Sequence, residues 1–265
     1  RLALERGEFV VHYQPMLEIA ESRLIGFEAL VRWQHPSEGL IGPQAFIPVA
    51  EDTGLIVQLG EWVLRTAAAQ MREWQDRDPG RAGLFVSVNL SARQFSHSDL
   101  VAVVREVLES TRLEGSSLRL ELTESVVMRS PDEAVRTLRS LRDMGVGLCI
   151  DDFGTGYSSL NYLHDFPIDT LKIDRSFIAR MAEQEDGIVA TIVAMAKNLG
   201  LQSVAEGVET QAQLDRLREL GPASVQGFLF SSPLDREAAG ALLDERIPPT
   251  GKGRARRGRQ GPGGR

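Results

Sequence analysis

The feature that most constrains the fold is an alternation of apolar, strand-like runs with longer helical stretches, repeated along almost the whole chain. Helical periodicity separates the runs, for example at 61–75 and 99–113, where apolar residues recur every three or four positions. Such repeats predict a parallel sheet with helices outside it. The runs that read as strands lie at 24–31, 84–90, 118–122, 146–150, 170–173, 203–205 and 223–229.

Seven or eight such repeats in 265 residues favour one closed (β/α)8 barrel, a TIM-like α/β domain, over a doubly wound open sheet. The open sheet is disfavoured because no GxGxxG or Walker-type loop follows the first strand. Helix ends are also marked. Ser130 as cap, Pro131 in the first turn and Glu133 three residues on predict a helix start, and Gly200 predicts the end of a helix at 184–199.

A polar residue interrupts or closes each apolar run. In a barrel the active site lies at the carboxyl ends of the strands, so these side chains are predicted to share one rim. Five carboxylates on one rim would repel each other strongly unless cations lay between them. The residues are Glu28, Asn89, Glu121, Asp151, Asp152, Lys172, Glu206 and Gln226.

The donor types indicate which cation the rim would hold. Carboxylate and amide oxygens without histidine suit magnesium or manganese better than zinc, and Lys172 would supply further positive charge. The four histidines are scattered with no ligand spacing. Their placement disfavours zinc hydrolases, Ser-His-Asp hydrolases and histidine-based phosphodiesterases.

Composition sets the cellular context and the domain boundaries. The single cysteine, Cys149, reads as a small buried residue inside a strand, which fits a reducing cytoplasm. No apolar run is long enough to span a bilayer. Residues 1–247 are predicted to form the domain. Residues 248–265 are rich in Gly, Pro and Arg, carry only basic charges, and are predicted to be disordered.

At this point the motifs resemble a known family, the EAL-domain cyclic di-GMP phosphodiesterases. Glu28-Ala29-Leu30 stands in the place of the family signature, and YQP at 13–15 also matches. The resemblance covers about residues 4–243. The further motifs, in the family's order, are ELTES at 121–125, DDFGTGYSSL at 151–160, LKID at 171–174, AEGVET at 205–210 and QGF at 226–228.

The resemblance implies roles for these residues. Two ions, Mg²⁺ or Mn²⁺, would be bound, the first by Glu28, Asn89, Glu121 and Asp151 and the second by Asp151, Asp152 and Glu206. The catalytic residues would be Lys172, which orients the attacking water, Glu206, which is either a ligand or the general base, and Glu28. Gln14, Arg32 and Gln226 would contact substrate, and Glu124 would anchor the loop at 152–160, which in this family helps to form a homodimer.

The function implied is metal-dependent hydrolysis of cyclic di-GMP to linear 5′-pGpG. The alternative is a catalytically silent cyclic di-GMP receptor, although every matched position keeps the residue type that the chemistry needs. A metal-dependent barrel lyase or aldolase has only the fold in its favour. An upstream sensor or GGDEF domain in a longer chain is expected, and full-length membrane tethering stays open. No nucleic-acid polymer is expected as a partner.

Overall fold

The protein is described from a computed structural model, which covers residues 2–97, 99–155, 163–181 and 186–244. Part of the predicted loop, residues 156–160, and the predicted disordered tail, 248–265, lie outside the described residues.

Eight strands close into a barrel, which confirms the predicted fold class. Around the ring the order is β1-β9-β8-β7-β6-β5-β4-β2, and pairing of β1 with β2 completes the circle. A short ninth strand, β3, pairs with the far end of β2 outside the ring. The strands of the described residues are β1 (Phe9–Glu18), β2 (Arg23–His35), β3 (Gly39–Ile41), β4 (Phe85–Asn89), β5 (Leu118–Thr123), β6 (Gly147–Phe153), β7 (Thr170–Ile173), β8 (Gln202–Ala205) and β9 (Ser224–Val225).

Strand β1 departs from the parallel sheet that the sequence predicts. It runs antiparallel to both of its neighbours, β2 and β9, whereas the other strands of the ring are mutually parallel. An antiparallel pair needs only a short turn, while a parallel pair needs a long crossover. The barrel therefore begins with a hairpin, and only later strands are joined through helices.

The helices of the described residues pack mainly on the outside of the barrel. None of them is both long and apolar enough to cross a membrane. They are α1 (Leu2–Glu5), α2 (Ile47–Thr53), α3 (Ile56–Arg77), α4 (Ala92–Phe95), α5 (Leu100–Thr111), α6 (Glu124–Met128), α7 (Pro131–Arg142), α8 (Arg175–Arg180), α9 (Gly187–Asn198), α10 (Gln211–Leu220) and α11 (Arg236–Asp244), with 3-10 turns at Pro43–Ala45, Pro79–Arg81 and Gly115–Ser117.

Both predicted helix ends are found in the structure. Helix α7 begins at Pro131 with Ser130 as its N-cap residue, both as predicted, but the Ser130 side chain makes no capping hydrogen bond. Acidic residues Asp132 and Glu133 in the first turn complement the helix dipole instead. The predicted stop is confirmed. Gly200, which follows α9, has φ +70°, a left-handed backbone that glycine adopts freely.

The hydrophobic core has two parts, and the smaller one lies in the barrel. The larger fills the space between strands and helices. The smaller consists of Met16, Phe85 and Val204, and the Arg119 guanidinium lies 4.0 Å from the centroid of the Phe85 ring. Apolar packing thus occupies the barrel near the amino ends of its parallel strands, and the polar side chains gather at the carboxyl ends.

Candidate active site

A pocket of about 240 Å³ opens at the carboxyl ends of the strands. Because neighbouring parallel strands end at the same edge, polar residues far apart in sequence meet there. The predicted site residues that line it are Gln14, Glu28, Asn89, Asp151, Lys172, Glu206 and Gln226. Glu121 lies directly beneath them and is 1% exposed.

The centre of the pocket is the ammonium group of Lys172, which is 1% exposed. Its Nζ lies 2.5 Å from Glu121 Oε2 and 3.5 Å from both Glu28 Oε2 and Asp151 Oδ1. It also contacts the carboxylate of Glu206. Four carboxylates, from β2, β5, β6 and the residue after β8, therefore converge on one buried cation.

Lys172 and Glu28 each stabilise the charged form of the other. Burial alone would lower the pKa of Lys172, but the four surrounding carboxylates outweigh it and hold this pKa well above its usual value. Burial opposes ionisation of Glu28, but the charge of Lys172 and hydrogen bonds from Gln226 and Asn89 lower its pKa. Both groups are therefore charged at neutral pH.

In contrast to Glu28, Glu121 and Glu206 have raised pKa values. Burial raises the pKa of Glu121 to about 7, the nearby charge of Lys172 offsets this only in part, and repulsion from Glu28 and Asp151 adds to it. Burial likewise raises the pKa of Glu206 well above its usual value, again with partial compensation by Lys172. The site thus contains more carboxylate than one lysine can balance.

Amide side chains surround Glu28 and fix its orientation. Asn89 Nδ2 donates to Glu28 Oε1 at 2.7 Å, and Gln226 Nε2 donates to Glu28 Oε2 at 2.7 Å. Gln226 Nε2 also donates to Gln14 Oε1 at 3.1 Å. The side-chain oxygen of Gln226, Oε1, is buried and has no protein partner among the described residues. It remains available as an acceptor.

The donor set fits a hard divalent cation. It offers carboxylate and amide oxygens, the ligands that Mg²⁺ and Mn²⁺ prefer, and it has an excess of negative charge. Within the described ranges, no three acidic, histidine or cysteine side chains are already arranged as a metal site. The Lys172 ammonium lies between the carboxylates. The residue types and their charge therefore fit the expected ions, and the ligand assignments stay predictions.

The family model described as EAL domain matches residues 1–233. The chain belongs to the EAL domain family.

This EAL domain has well-matched relatives. Over 239 residues it is 53% identical to the bifunctional diguanylate cyclase/cyclic di-GMP phosphodiesterase MucR of Pseudomonas aeruginosa, covering 89% of this chain and 35% of MucR. It is 48% identical over 245 residues to the cyclic di-GMP phosphodiesterase NbdA of the same organism, covering 92% of this chain and 31% of NbdA. The chain thus spans about a third of the length of these two relatives.

Solved structures agree with the barrel. The MucR phosphodiesterase in complex with c-di-GMP matches with a TM-score of 0.87 at 52% identity, covering 90% of this chain and 97% of that chain. The EAL enzyme Bd1971, with cAMP and cyclic di-GMP bound, matches with a TM-score of 0.87 at 34% identity, covering 91% and 66% respectively.

Three predicted residues of the EAL domain do not line this pocket. Asp152 is exposed and has a left-handed backbone, φ 53°, and the structure places it outside the pocket lining. Arg32 is partly exposed and donates to its neighbour's carbonyl, Val31 O, at 2.8 Å. Glu124 is 6% exposed and its Oε2 has no partner in the described part of the chain. Their roles stay predictions.

The structure also brings in residues that sequence reasoning missed. Arg175 and Glu209 line the pocket, and Ser87 donates to Glu121 Oε1 from below. Arg175 directly follows LKID and Glu209 belongs to AEGVET, so both lie within or beside motifs already noticed. Ser87 precedes Asn89 by two positions in an apolar strand, and that spacing is the signal that could have identified it.

A larger cavity of about 440 Å³ opens beside the pocket. The two share Leu30 and Asn89 in their linings. Its other walls are mostly apolar, and helices α2 and α3 contribute part of them, including Ile47, Ile56 and Leu59. The rim of the barrel therefore offers a polar pocket next to an apolar one.

Proposed function

We propose that this EAL domain hydrolyses cyclic di-GMP to linear 5′-pGpG with the help of divalent cations. The observation that carries the proposal is the convergence of four carboxylates, two buried and two partly buried, on Lys172 at the carboxyl ends of the barrel strands. Support comes from MucR and NbdA, which are named cyclic di-GMP phosphodiesterases, and from the MucR complex with c-di-GMP.

Two ions, Mg²⁺ or Mn²⁺, are proposed, because the carboxylates exceed the charge that Lys172 can balance. When bound, such ions supply Lewis-acid stabilisation of negative charge on phosphoryl oxygens and make water more acidic. The residues that would hold them are Glu28, Asn89, Glu121, Asp151, Asp152 and Glu206.

In this proposal, Lys172 and Glu206 act on the water that attacks. Lys172 Nζ donates a hydrogen bond that orients the water. Glu206 is either an ion ligand or the general base; as the base it acts in its ionised form, and its raised pKa makes that carboxylate a stronger proton acceptor. The water oxygen forms a bond to phosphorus in line with the ribose 3′ oxygen, the bond from phosphorus to that 3′ oxygen breaks, and the 3′ oxygen takes up a proton from solvent water. One ester opens, so the product is linear and keeps its second phosphodiester.

Substrate contacts are proposed for the residues around this centre. Gln14 and Gln226 line the pocket and are proposed to contact the ligand. Arg32 provides a further cation near Glu28. The adjoining 440 Å³ cavity gives room for a nucleobase while a phosphodiester lies over the carboxylates.

Larger-scale features complete the proposal. The catalytic unit is residues 1–247, and a sensor or GGDEF domain is proposed as part of a longer protein, in keeping with the third of MucR and NbdA that this chain spans. Glu124 anchors the loop at 152–160, and the active form is a homodimer. The reaction takes place in the cytoplasm, which suits the free thiol of Cys149.

The test is turnover of cyclic di-GMP with Mg²⁺ or Mn²⁺ and with EDTA, the products being separated by chromatography. We expect 5′-pGpG only with cation, and none from Glu28→Ala. Cyclic di-GMP binding without product, with either ion and in dimeric protein, would establish the receptor instead. Wild-type turnover by Glu28→Ala would reject the assigned site.

A further inference from the structure

Strand β4 supplies a hydrogen-bond donor to each of the two glutamates on its neighbouring strands. It lies between β2 and β5 in the barrel. Asn89 Nδ2 donates to Glu28 on β2, and Ser87 Oγ donates to Glu121 on β5. Residues two apart in a strand point to the same face. Ser87 and Asn89 therefore form a pair that faces the same site at two depths.

Ser87 has no role in the reaction assigned so far, and its surroundings restrict what its hydroxyl can do. The residue is 0% exposed, and its hydroxyl proton is given to Glu121 Oε1. The other oxygen of that carboxylate, Oε2, accepts from Lys172 Nζ at 2.5 Å. Glu121 is thus held at both oxygens, from below by Ser87 and from the site by Lys172.

The orientation of Glu121 requires such support. Its neighbours Glu28 and Asp151 carry the same charge and disfavour its ionised form. If the serine hydroxyl were absent, Oε1 would be a buried acceptor without that donor, and the carboxylate would have Lys172 as its remaining described hydrogen-bond partner. It would then be free to turn toward the ammonium, away from the orientation in which Ser87 and Lys172 each hold one of its oxygens.

We propose that Ser87 is a positioning residue that holds the Glu121 carboxylate in the orientation needed to bind a divalent cation. The inference rests on the cation site of the proposed function. Hydrogen bonds to the ligands of a metal fix their orientation, and removing such a partner typically weakens metal binding by about 10- to 100-fold. A merely structural serine would fill space in the barrel without this effect.

The experiment measures Mn²⁺ affinity in the absence of substrate, by titration calorimetry or by the electron paramagnetic resonance signal of free Mn²⁺. Ser87→Ala removes the hydroxyl, Ser87→Cys keeps nearly the same volume with a weak donor, and Ser87→Thr keeps a hydroxyl. Ser203→Ala is the control, because Ser203 is also a buried serine of a barrel strand, 3% exposed, and no hydrogen bond links it to a site carboxylate in the described residues.

We expect Ser87→Ala and Ser87→Cys to bind Mn²⁺ about 10- to 100-fold more weakly, while Ser87→Thr and Ser203→Ala stay close to wild type. Wild-type affinity in Ser87→Ala or Ser87→Cys would overturn the inference and leave the proposed function standing. A wild-type protein that binds no Mn²⁺ would overturn the cation site itself. Thermal unfolding of each variant shows whether it is folded. If Ser87→Thr does not fold, the Mn²⁺ affinity of Ser87→Cys relative to wild type tests the inference.

Discussion

Lys172 acts as an internal counter-ion for the carboxylates of the site. It is almost completely buried, and four carboxylates lie within ion-pair distance of its Nζ. Removing one partner of a buried ion pair leaves uncompensated charge and typically costs about 3–5 kcal/mol. We therefore expect Lys172→Met to lower the stability of the metal-free protein by this order and to reduce kcat by at least about 100-fold.

Added Mn²⁺ should restore much of the stability of Lys172→Met, because a divalent ion can replace the lost charge, but it should not restore turnover. Thermal unfolding with EDTA or Mn²⁺, together with product chromatography, measures both effects. Lys197→Met is the control, since Lys197 is an exposed lysine that donates to Leu220 O at 3.4 Å, away from the site. A Lys172→Met protein that turns over cyclic di-GMP normally would contradict the role assigned to the lysine.

Arg175 is the residue best placed to hold the part of the substrate that does not react. It lines the pocket, is exposed, and makes no ion pair within the described residues, whereas Lys172 is enclosed by carboxylates. Cyclic di-GMP has two phosphodiesters. If one lies over the carboxylates, the other needs a cation, and arginine pairs well with phosphate oxygens.

We expect Arg175→Ala to raise KM about tenfold, equivalent to about 1.4 kcal/mol, with kcat changed little. Steady-state kinetics measures the two separately. Arg180→Ala serves as the control on the same helix, because its guanidinium lies over the Phe177 ring, 5.1 Å from the centroid, and not in the pocket. An unchanged KM in Arg175→Ala would show that the second phosphate is held elsewhere.

At the scale of elements, the parallel strands could be predicted because each is an apolar run that ends in a polar residue. Strand β1 could not, since its sequence FVVHYQPMLE mixes polar residues and a proline into a ten-residue strand. Its place is determined by pairing with β2 and β9. Such pairing is a tertiary effect with no local pattern.

The residues of the site divide in the same way, into those with a local sequence pattern and those placed only by tertiary contacts. Glu28, Glu121 and Glu206 follow from the sequence because each interrupts or closes an apolar, strand-like run. Ser87 and Arg175 were missed because a serine within a strand and an arginine after one are common on any protein. The parallel pairing of β4 with β5 brings Ser87 under Glu121, and the loop after β8 places a backbone against Arg175.

The loop after β8 is shaped by Gly207, which has φ +71°. A Cβ at this position would lie 2.5 Å from the Cβ of Arg175, so a side chain there must displace either the loop or the arginine. We expect Gly207→Ala to destabilise the protein and to raise KM in the same direction as Arg175→Ala.

Gly200→Ala separates the two causes. Gly200 has nearly the same backbone, φ +70°, but nothing lies within 4 Å of its would-be Cβ. Gly200→Ala should lower the free energy of unfolding only by the strain of the left-handed backbone, about 1–2 kcal/mol, and it should leave KM unchanged. Gly207→Ala should lower the free energy of unfolding by roughly 1–3 kcal/mol more than Gly200→Ala, because its Cβ would overlap the Cβ of Arg175. Urea unfolding and steady-state kinetics measure these differences, and equal effects of the two variants would contradict the contact with Arg175.

At the scale of the whole molecule, the barrel stores unfavourable charge at one end. Apolar packing of Met16, Phe85 and Val204 fills its interior near the amino ends of the parallel strands, while four carboxylates and one lysine lie at the carboxyl ends. The fold holds these carboxylates together before any ligand arrives. The metal-free protein should therefore be less stable than its apolar core alone would allow, and cation binding should relieve the repulsion.

The pH dependence of stability tests this charge balance. The pKa of Glu121 is raised from 4.5 to about 7 in the folded protein, and that of Glu206 is raised in the same direction. A carboxyl with a raised folded pKa contributes stability that is fully present below its unfolded pKa and is lost as pH rises through the folded pKa. Glu28 has a lowered pKa, so its contribution is lost only at more acidic pH.

We therefore expect the melting temperature of the metal-free protein to fall between about pH 5 and about pH 8, and the increase produced by Mn²⁺ to grow over the same range. Glu121→Gln removes one of the titrating groups, so its metal-free melting temperature should fall less steeply, and its response to Mn²⁺ should be small. Thermal unfolding with EDTA and with Mn²⁺ across this range measures both. If wild type and Glu121→Gln gave parallel metal-free profiles, Glu121 would not be the group that couples stability to pH, and the surplus negative charge would have to be assigned to Glu206.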